Sequence, residues 1–443
     1  MNTAKENYLK AFKAFEKHVG SKEPTWIRSI RSQAVSRFKD LGFPTTKLED
    51  WKYTNVDPIV KTSFHFNFEG LRDDVSLEQI QPYLFGKPEW NRLVFVNGFF
   101  EQPLSHTKDL PSGMKMMSLA RAIAEHPETV TRYLAQVAPT DENAFAALNT
   151  GFVQDGAFIH IPKGVTLTEP IHLVFVTRAS DDPFVSQPRN LIIADEASQS
   201  TVIEQFVSLS EASYFTNTVT EMVLGEGALL DRYKIQKESD RAFHVATTQA
   251  EQGRDSVLKS YSISSGAGLS RNDLNVVFRE EGAECSLDGL YLTKGDQHMD
   301  HHTLIDHAKA HGTSNELFKG VLDEKATAVF NGKIHVRKNA QQTDAHQTNK
   351  NLILSDGARI DTKPQLDIDA DDVKCTHGAA VGQLEDQEIF YLKSRGLSKD
   401  NARSLLTYGF ASELIHRMKV EPVREELHRE LWKWLGKEPL VEV

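Results

Sequence analysis

The sequence predicts a mainly β protein, with a parallel β-helix at its centre and helical regions on either side. The first observation is that no proline occurs between Pro188 and Pro364, although the chain holds 16. Proline lacks the N–H group that a central strand donates, so its absence fits an extensive sheet. The second is a series of short runs rich in β-branched and aromatic residues in this stretch. These runs lie at 201–203, 217–224, 256–263, 274–278, 287–292, 327–330, 333–336 and 351–354.

The third observation is a regular spacing of turn-forming clusters between these runs. Clusters of acidic and small residues begin at Asp195, Gly225, Glu251 and Glu280, which are 30, 26 and 29 positions apart. Short strands that return at such a period without intervening helices indicate a solenoid of stacked strands. A β-sandwich would also contain many short strands, but it rarely needs more than about 200 residues of them. The spacing therefore favours a parallel β-helix.

Apolar residues at steps of three and four predict helices at both ends of the chain. A run at 26–41 ends at Gly42 and Pro44, which is a typical helix stop. Beyond residue 384, Ser398 is expected to cap one helix and Pro422 to open the last one. The first helix of the chain is predicted from Tyr8, Leu9, Phe12, Phe15 and Val19.

These patterns divide the chain into four parts. Between the helical start and the solenoid, an apolar run at 93–96 predicts a strand, and 120–137 and 141–148 predict short helices. A solenoid needs its open ends covered, and the flanking helices are expected to cover them. The predicted parts are an N-terminal helical region (1–90), an α/β connecting segment (91–150), the β-helix core (151–383) and a C-terminal helical domain (384–443).

Composition and charge exclude several classes of protein. Lys and Arg total 51 against 62 Asp and Glu, a net charge of −11, so nucleic acid is not an expected partner. No apolar run approaches the ~20 residues of a membrane span, and no signal peptide is visible at the start, so the expected location is the cytoplasm. The two cysteines, Cys285 and Cys375, cannot form a disulfide scaffold or a four-thiolate metal site.

Motifs of the common catalytic and nucleotide-binding sites are absent. The sequence contains no phosphate-binding loop, no G-x-S-x-G nucleophile elbow and no H-E-x-x-H zinc helix. No nucleotide is therefore expected on this chain. If it serves an ATP-driven process, another chain hydrolyses the ATP.

A histidine cluster at 298–311 is the densest group of candidate metal ligands. Imidazole together with carboxylate suits divalent transition metals. On a strand, His298, Asp300 and His302 would share one face and His301 the other. The alternative is that these histidines pair with the aspartates among them or line an interface. The cluster consists of His298, His301, His302, His307 and His311, with Asp296, Asp300 and Asp306.

Cys375 and His377 form a second candidate, at positions i and i+2 of an extended segment. Both side chains would point the same way, with Cα atoms ~6.5–7 Å apart. A thiolate beside an imidazole suits zinc or iron, including iron bound to sulfide. Two ligands do not complete a site, because structural zinc and iron–sulfur clusters take four. The remainder would come from the histidine cluster, from Cys285 or from a second protein; alternatively, Cys375 is a buried thiol beside a surface histidine.

Longer motifs in the second half of the chain closely resemble the SufB/SufD family, the paired scaffold subunits of the Suf iron–sulfur cluster assembly machinery. The close resemblance covers about eighty residues. Upstream, H-M-D-H-H-T-L-I-D-H at 298–307 and P-T-T-K-L-E-D-W-K-Y-T at 44–54 also resemble the SufD branch. The motifs are F-N-G-K-I at 330–334, A-Q-Q-T-D-A-H-Q-T-N-K-N-L-I-L-S at 340–355, D-T-K-P-Q-L-D-I-D-A-D-D-V-K-C-T-H-G-A at 361–379, F-Y-L-K-S-R-G-L at 390–397 and A-R at 402–403.

The SufD branch is the better match within that family. SufB chains resemble C-E-H-E-A at the key site and carry additional cysteines, whereas this chain has C-T-H-G-A at 375–379 and two cysteines in total. Ala380 departs from the family pattern, which often has threonine there, and the D-I-D strand is more acidic than usual. Neither departure touches His377.

The resemblance implies a fold, partners and site residues. SufD-like chains have a right-handed parallel β-helix between helical regions, pair with SufB through the β-helices and bind SufC, an ABC-type ATPase, through C-terminal helices. A nascent iron–sulfur cluster, transient and shared with the partner, is thought to form at the SufB–SufD interface. The histidine that contributes there corresponds to His377, as metal ligand or proton-handling group, with Cys375 in support. The ATPase would dock on 390–415, at Phe390, Tyr391, Leu405, Leu406 and Phe410.

The sequence therefore predicts a non-enzymatic scaffold for iron–sulfur cluster assembly that deals with sulfur donor proteins indirectly. Within the family, a homodimer with its ATPase is the alternative to pairing with the paralogue. A different class, a metal-binding β-helix enzyme built on the histidine cluster, would carry stoichiometric metal. A carbohydrate-binding solenoid would show aromatic stacking residues in its coil, but all five tryptophans lie outside it.

Overall fold

The computed structural model describes residues 2–20, 23–66, 68, 75–179 and 182–438. It is mainly β, and two long sheets face each other across a β-solenoid of about 8 turns. The strands are β1 His65–Phe66, β2 Arg92–Val96, β3 Phe99–Phe100, β4 Lys115–Ser118, β5 Ala157–Ile161, β6 Ile171–Thr177, β7 Phe184–Ser186, β8 Arg189–Ala194, β9 Gln199–Ser208, β10 Phe215–Leu224, β11 Leu229–Glu238, β12 Phe243–Gln252, β13 Val257–Gly266, β14 Leu269–Phe278, β15 Glu284–Thr293, β16 His298–His307, β17 Thr313–Leu322, β18 Thr327–Val336, β19 Thr343–Ile353, β20 Arg359–Ile368 and β21 Val373–Gly382.

The chain alternates between the two sheets as it winds. Sheet A runs in the order β4-β5-β8-β10-β12-β14-β16-β18-β20, with β7 beside β10 and β1 beside β7, and sheet B in the order β3-β2-β6-β9-β11-β13-β15-β17-β19-β21. Within the solenoid the neighbours are parallel and in register: Phe215 pairs with Phe243 in sheet A, and Leu229 with Val257 in sheet B. Each of these partners lies 28 positions further along the chain, which agrees with the period predicted from the turn clusters.

The predicted strands and the proline argument are confirmed. Each of the eight predicted runs lies in or overlaps an observed strand, and the two at 327–330 and 333–336 are halves of the single strand β18. Pro364 does lie in a strand, β20, but β20 is the last strand of sheet A. An edge position tolerates the missing N–H of proline.

Helices flank the solenoid as predicted. Ser398 caps α9 by accepting from the backbone N–H of Asn401, and Pro422 lies in the first turn of α10. The helices are α1 Asn2–Val19, α2 Thr25–Leu41, α3 Asp57–Lys61, α4 Leu77–Ile80, α5 Leu119–Glu125, α6 Pro127–Tyr133, α7 Ala144–Gly151, α8 Asp386–Ser394, α9 Lys399–Ile415 and α10 Glu421–Trp434. Among the described residues, no helix is long and apolar enough to cross a membrane.

The helices lie on the sides of the solenoid. Helices α1, α2 and α7 contribute phenylalanines to a cluster that reaches Phe215 and Val245 on sheet A. Helices α9 and α10 pack on sheet B, where Leu414 and Leu431 belong to one cluster with Ile263. The expectation that the C-terminal helices cover an open end is therefore wrong, because α9 and α10 pack on the apolar outer surface of sheet B instead.

The two ends of the solenoid differ. At the N-terminal end, β3 and β4 run antiparallel to β2 and β5 and close the sheets. At the other end, the sheets stop at β20 and β21, and the side chains of β21 are exposed or half-buried along its whole length. The predicted connecting segment, 91–150, thus supplies strands to the closed end, and the last turn of the coil stays open to solvent.

Candidate functional site

Cys375 and His377 lie on β21, at the open end. Cys375 is half-buried and packs with Ile334 and Ala345, which belong to the interior between the sheets. His377 lies two residues further on and shares that face of the strand, as predicted. It is exposed because no further turn of the coil covers it. The pair therefore lies at the mouth of the solenoid interior.

The Cys375 thiol is less ready to ionise than a free cysteine. Partial burial raises its pKa, and the nearby Asp344 carboxylate adds to the rise. A protonated thiol is a weak ligand until a metal displaces its proton. Cys375 would therefore have to lose this proton before it could bind a metal.

His377 is the last of three residues that stand in register on the inward faces of neighbouring strands. Glu316 on β17 pairs in register with Gln347 on β19, which pairs in register with His377 on β21. Gln347 Nε2 donates to Glu316 Oε2 at 2.6 Å, and both side chains are fully buried. Burial raises the pKa of Glu316 to about 7. We refer to Glu316, Gln347 and His377 as the inner column.

The second cysteine does not complete the site. Cys285 occupies the same register position as Cys375, with Ser314 and Ala345 between them on the intervening strands. Three strand spacings place the two thiols ~14 Å apart, which is too far for a disulfide or a shared metal ion. Burial also raises the pKa of Cys285 well above its usual value. Across the described part of the chain, no group of three or more His, Cys, Asp or Glu could hold a metal ion.

The histidine cluster at 298–311 is divided by the sheet. His298 and His302 point to the outer surface with Asp300, whereas His301 and His307 point inward, so the predicted alternation is confirmed. His301 stacks on Tyr291 inside, with ring centroids 5.1 Å apart. The sheet thus separates the ligands that the metal-enzyme alternative would need to bring together.

Asp300 has a structural role in this cluster. It accepts from Thr54 Oγ1 at 2.6 Å and from an Arg271 guanidinium N–H at 2.9 Å, and it pairs with His302 at 3.0 Å. Burial alone would raise its pKa, but His302 and Arg271 outweigh burial and hold the pKa well below its usual range. Asp300 thereby attaches the loop at 45–55 to the outer face of sheet A.

The predicted docking residues divide into exposed and packed ones. Phe390 and Tyr391 on α8 are 73% and 57% exposed. On α9, Leu405, Leu406 and Phe410 are half-buried. Lys319 Nζ lies 4.4 Å from the centre of the Phe410 ring, and it donates to the backbone oxygen of that residue. Phe410 therefore also holds α9 on sheet B, whereas Phe390 and Tyr391 are largely exposed, with the Arg395 guanidinium 5.2 Å from the centre of the Tyr391 ring.

Two residues of the site were missed by the sequence reasoning. Gln347 and Gly332 both belong to motifs quoted above, but no role was attached to them. A Cβ atom at Gly332 would collide with Nε2 of Gln347, so Gly332 leaves the room that this amide occupies. The signal that could have identified Gln347 is its register with His377, 30 positions further along the chain. A motif read along the chain does not show such a register.

The fold and the site together define a parallel β-solenoid protein with a cysteine and a histidine side by side at one open end. Two family models match nearly the whole chain: the SufBD protein N-terminal region over residues 2–173, and the SufBD core domain of SUF system FeS cluster assembly over 175–410. The chain belongs to the SufBD family of iron–sulfur cluster assembly proteins, as its motifs predicted.

Individual relatives match over almost their full length. The chain is 37% identical over 422 residues to an iron–sulfur cluster assembly SufBD family protein of Synechocystis, covering 93% of this chain and 92% of that protein. It is 29% identical to the iron–sulfur cluster assembly protein SufD of Escherichia coli, with 93% of each chain covered. The SufD protein of Bacillus subtilis is 28% identical, over 95% of this chain and 96% of the relative.

Proposed function

We propose that this chain is a SufD-like, non-enzymatic scaffold subunit of a cytoplasmic iron–sulfur cluster assembly complex. It would pair with a SufB-like paralogue and bind a SufC-like ATPase, so that nascent clusters are built and passed on. The observation that carries this proposal is the incomplete donor pair, Cys375 and His377, at the open end of the solenoid. A donor pair that finds no further ligands among the described residues of its own chain, and that lies on an exposed strand, suits a site shared between two chains.

The open end also has the means to bind a partner. β20 and β21 end the two sheets, and their outer edges have no partner strand in the described part of the chain. Unpaired N–H and C=O groups along a strand edge are satisfied when a strand of another molecule adds to the sheet. A paralogue with the same coil could add a strand to both sheets at once. A second copy of this chain is the alternative occupant.

At such an interface, His377 would supply an imidazole nitrogen to iron and Cys375 a supporting thiolate. The partner would supply the remaining sulfur ligands, since clusters usually take four protein ligands. The cluster is cargo in this scheme. Its sulfide comes from donor proteins through the complex, and this chain binds no nucleotide.

ATP hydrolysis would act on the complex through the C-terminal helices. Phe390 and Tyr391 form an exposed aromatic pair on α8, and large exposed aromatics are typical anchors of protein interfaces. Because α9 and α10 pack on sheet B, a movement of the bound ATPase would be transmitted to the coil.

An anaerobic pull-down of the tagged chain from its own host tests the proposal. We expect an ABC-type ATPase and a second, cysteine-richer β-helix chain to co-purify in fixed proportion. Recovery of the tagged chain with the ATPase alone, as a dimer, would favour the homodimer. Recovery of the chain by itself with stoichiometric metal would contradict the proposal and favour the metal enzyme.

A further inference from the structure

His377 has a neighbour in the inner column that was not assigned a role. Parallel strands lie ~4.8 Å apart, so in-register side chains on one face are in contact range. Gln347 is the in-register neighbour of His377 and is 1% exposed. The side chain of Gln347 therefore lies next to the imidazole of His377, one strand further into the coil.

The amide is held in one orientation from two sides. Its Nε2 donates to Glu316 Oε2, and this bond places the amide nitrogen on the inner side. Across the interior, Gly332 on β18 provides the space for the amide, since a Cβ atom there would collide with Nε2 and Cδ of Gln347. These two contacts leave the amide oxygen, Oε1, as the free end.

That oxygen lacks a partner. Gln347 Oε1 is buried and has no hydrogen-bond partner among the described residues. A buried acceptor without a donor costs ~1–3 kcal/mol, so a small side-chain movement that brings a donor to this atom is favourable in the folded chain. In register with it, on the solvent side, lies the His377 imidazole, which carries one N–H in its neutral form.

We infer that Gln347 is a positioning residue for His377: its Oε1 accepts the imidazole N–H, which fixes one tautomer and turns the other ring nitrogen toward the open end. The inference rests on the proposed function, in which that second nitrogen binds iron. Histidines that bind metals usually donate their other N–H to an oxygen acceptor, and loss of the acceptor typically costs ~10–100-fold in metal affinity or activity. An amide orients the ring without adding a charge.

Nitrogen NMR of the ¹⁵N-histidine-labelled full chain tests the positioning directly. The His377 signals are assigned by their loss in His377→Ala. We expect well-separated shifts for its two ring nitrogens, as for one fixed tautomer. In Gln347→Met, which keeps the volume but removes the acceptor, the two shifts should move together. In Gly332→Ala, which displaces the amide without changing it, they should do the same.

Gly378→Ala is the matched control, because a Cβ atom at Gly378 meets nothing within 4 Å. Its spectrum should equal that of the wild type, and thermal melts show whether each variant is folded. If the wild type already shows averaged shifts, or if Gln347→Met and Gly332→Ala both leave the shifts separated, the inference is overturned.

A second measurement separates this inference from the proposed function. In the assembled complex, Gln347→Met should lower the rate of cluster formation about 10-fold, at the lower end of the range for such acceptors. If the tautomer is fixed by Gln347 but His377→Ala leaves cluster formation unchanged, the positioning stands and the proposed function fails. If His377→Ala abolishes cluster formation and Gln347→Met changes neither the tautomer nor the rate, the proposed function stands and the positioning by Gln347 fails.

Discussion

Because of Glu316, the free energy of unfolding should fall as pH rises, and Glu316→Gln should remove this dependence. Burial raises its pKa from 4.5 to about 7. The folded chain therefore keeps this proton up to about pH 7, whereas the unfolded chain releases it near pH 4.5. Stability is fully present below the unfolded value and is lost as pH rises through the window between the two values. At ~1.36 kcal/mol per pKa unit, the loss is about 3 kcal/mol above pH 7.

Glu316→Gln keeps the shape of the side chain and removes this titration. The free energy of unfolding of the variant, relative to the wild type, should therefore rise by about 2.5 kcal/mol between about pH 5 and about pH 8. Urea unfolding of both proteins, followed by circular dichroism across that range, measures the difference. Glu226→Gln, in an exposed turn, is the matched control for the substitution itself. Parallel stability curves for wild type and Glu316→Gln would refute the reasoning.

Three further predictions concern an exposed side chain on α8, the buried ion pair of Glu221 with Arg189, and the loop at 45–55. Phe390→Asp should release the ATPase in a pull-down without lowering the melting temperature, because the ring is 73% exposed; continued co-purification would place the docking surface elsewhere. Glu221→Gln should cost about 3 kcal/mol in urea unfolding, since it leaves the fully buried Arg189 without its carboxylate partner, and a cost under about 1 kcal/mol would contradict that account. Asp300→Asn should speed hydrogen exchange of the loop at 45–55, because it weakens the contacts of Asp300 with Thr54 and Arg271 that attach the loop; unchanged exchange would show that other contacts hold the loop.

The coil could be predicted because stacked strands produce a pattern in the sequence. Each turn of the solenoid repeats the same backbone hydrogen bonds between strands, and this repetition excludes proline and spaces the turns regularly. Strand β12 is one of the strands that the predicted runs missed, because its inward residues are polar or small: His244, Ala246, Thr248, Ala250 and Gln252. His244 there pairs with Glu238 at 2.6 Å, and Thr248 accepts from Arg232 at 3.1 Å. The sequence does not show that a polar residue has a hydrogen-bond or ion-pair partner inside the coil.

The place of the C-terminal helices could not be predicted for a related reason. An amphipathic pattern shows that a face will be buried, but it does not name the surface that buries it. Apolar side chains on the outside of sheet B, such as Ile263 and Leu290, provide that surface. Their position outside the coil depends on the strand register, which is a property of the assembled fold.

The candidate site was predicted in part. Alternation along one strand was enough to place Cys375 and His377 on a common face. The contribution of Gln347 depends on a neighbour one turn away, so it became visible only with the register. The distance between Cys285 and Cys375 likewise follows from the number of strands between them.

The central claim is that His377, at the open end of the solenoid, takes part in building clusters within a complex. It is tested by assembling the complex anaerobically from this chain, its paralogue and the ATPase, and then supplying iron and sulfide. His346→Ala is the matched control, because His346 is an exposed histidine on the neighbouring strand, bonded to Thr376 at 2.7 Å. The account predicts that His377→Ala assembles normally but lowers bound iron and sulfide to background, whereas His346→Ala matches the wild type. Equal cluster yield from His377→Ala and the wild type would contradict it.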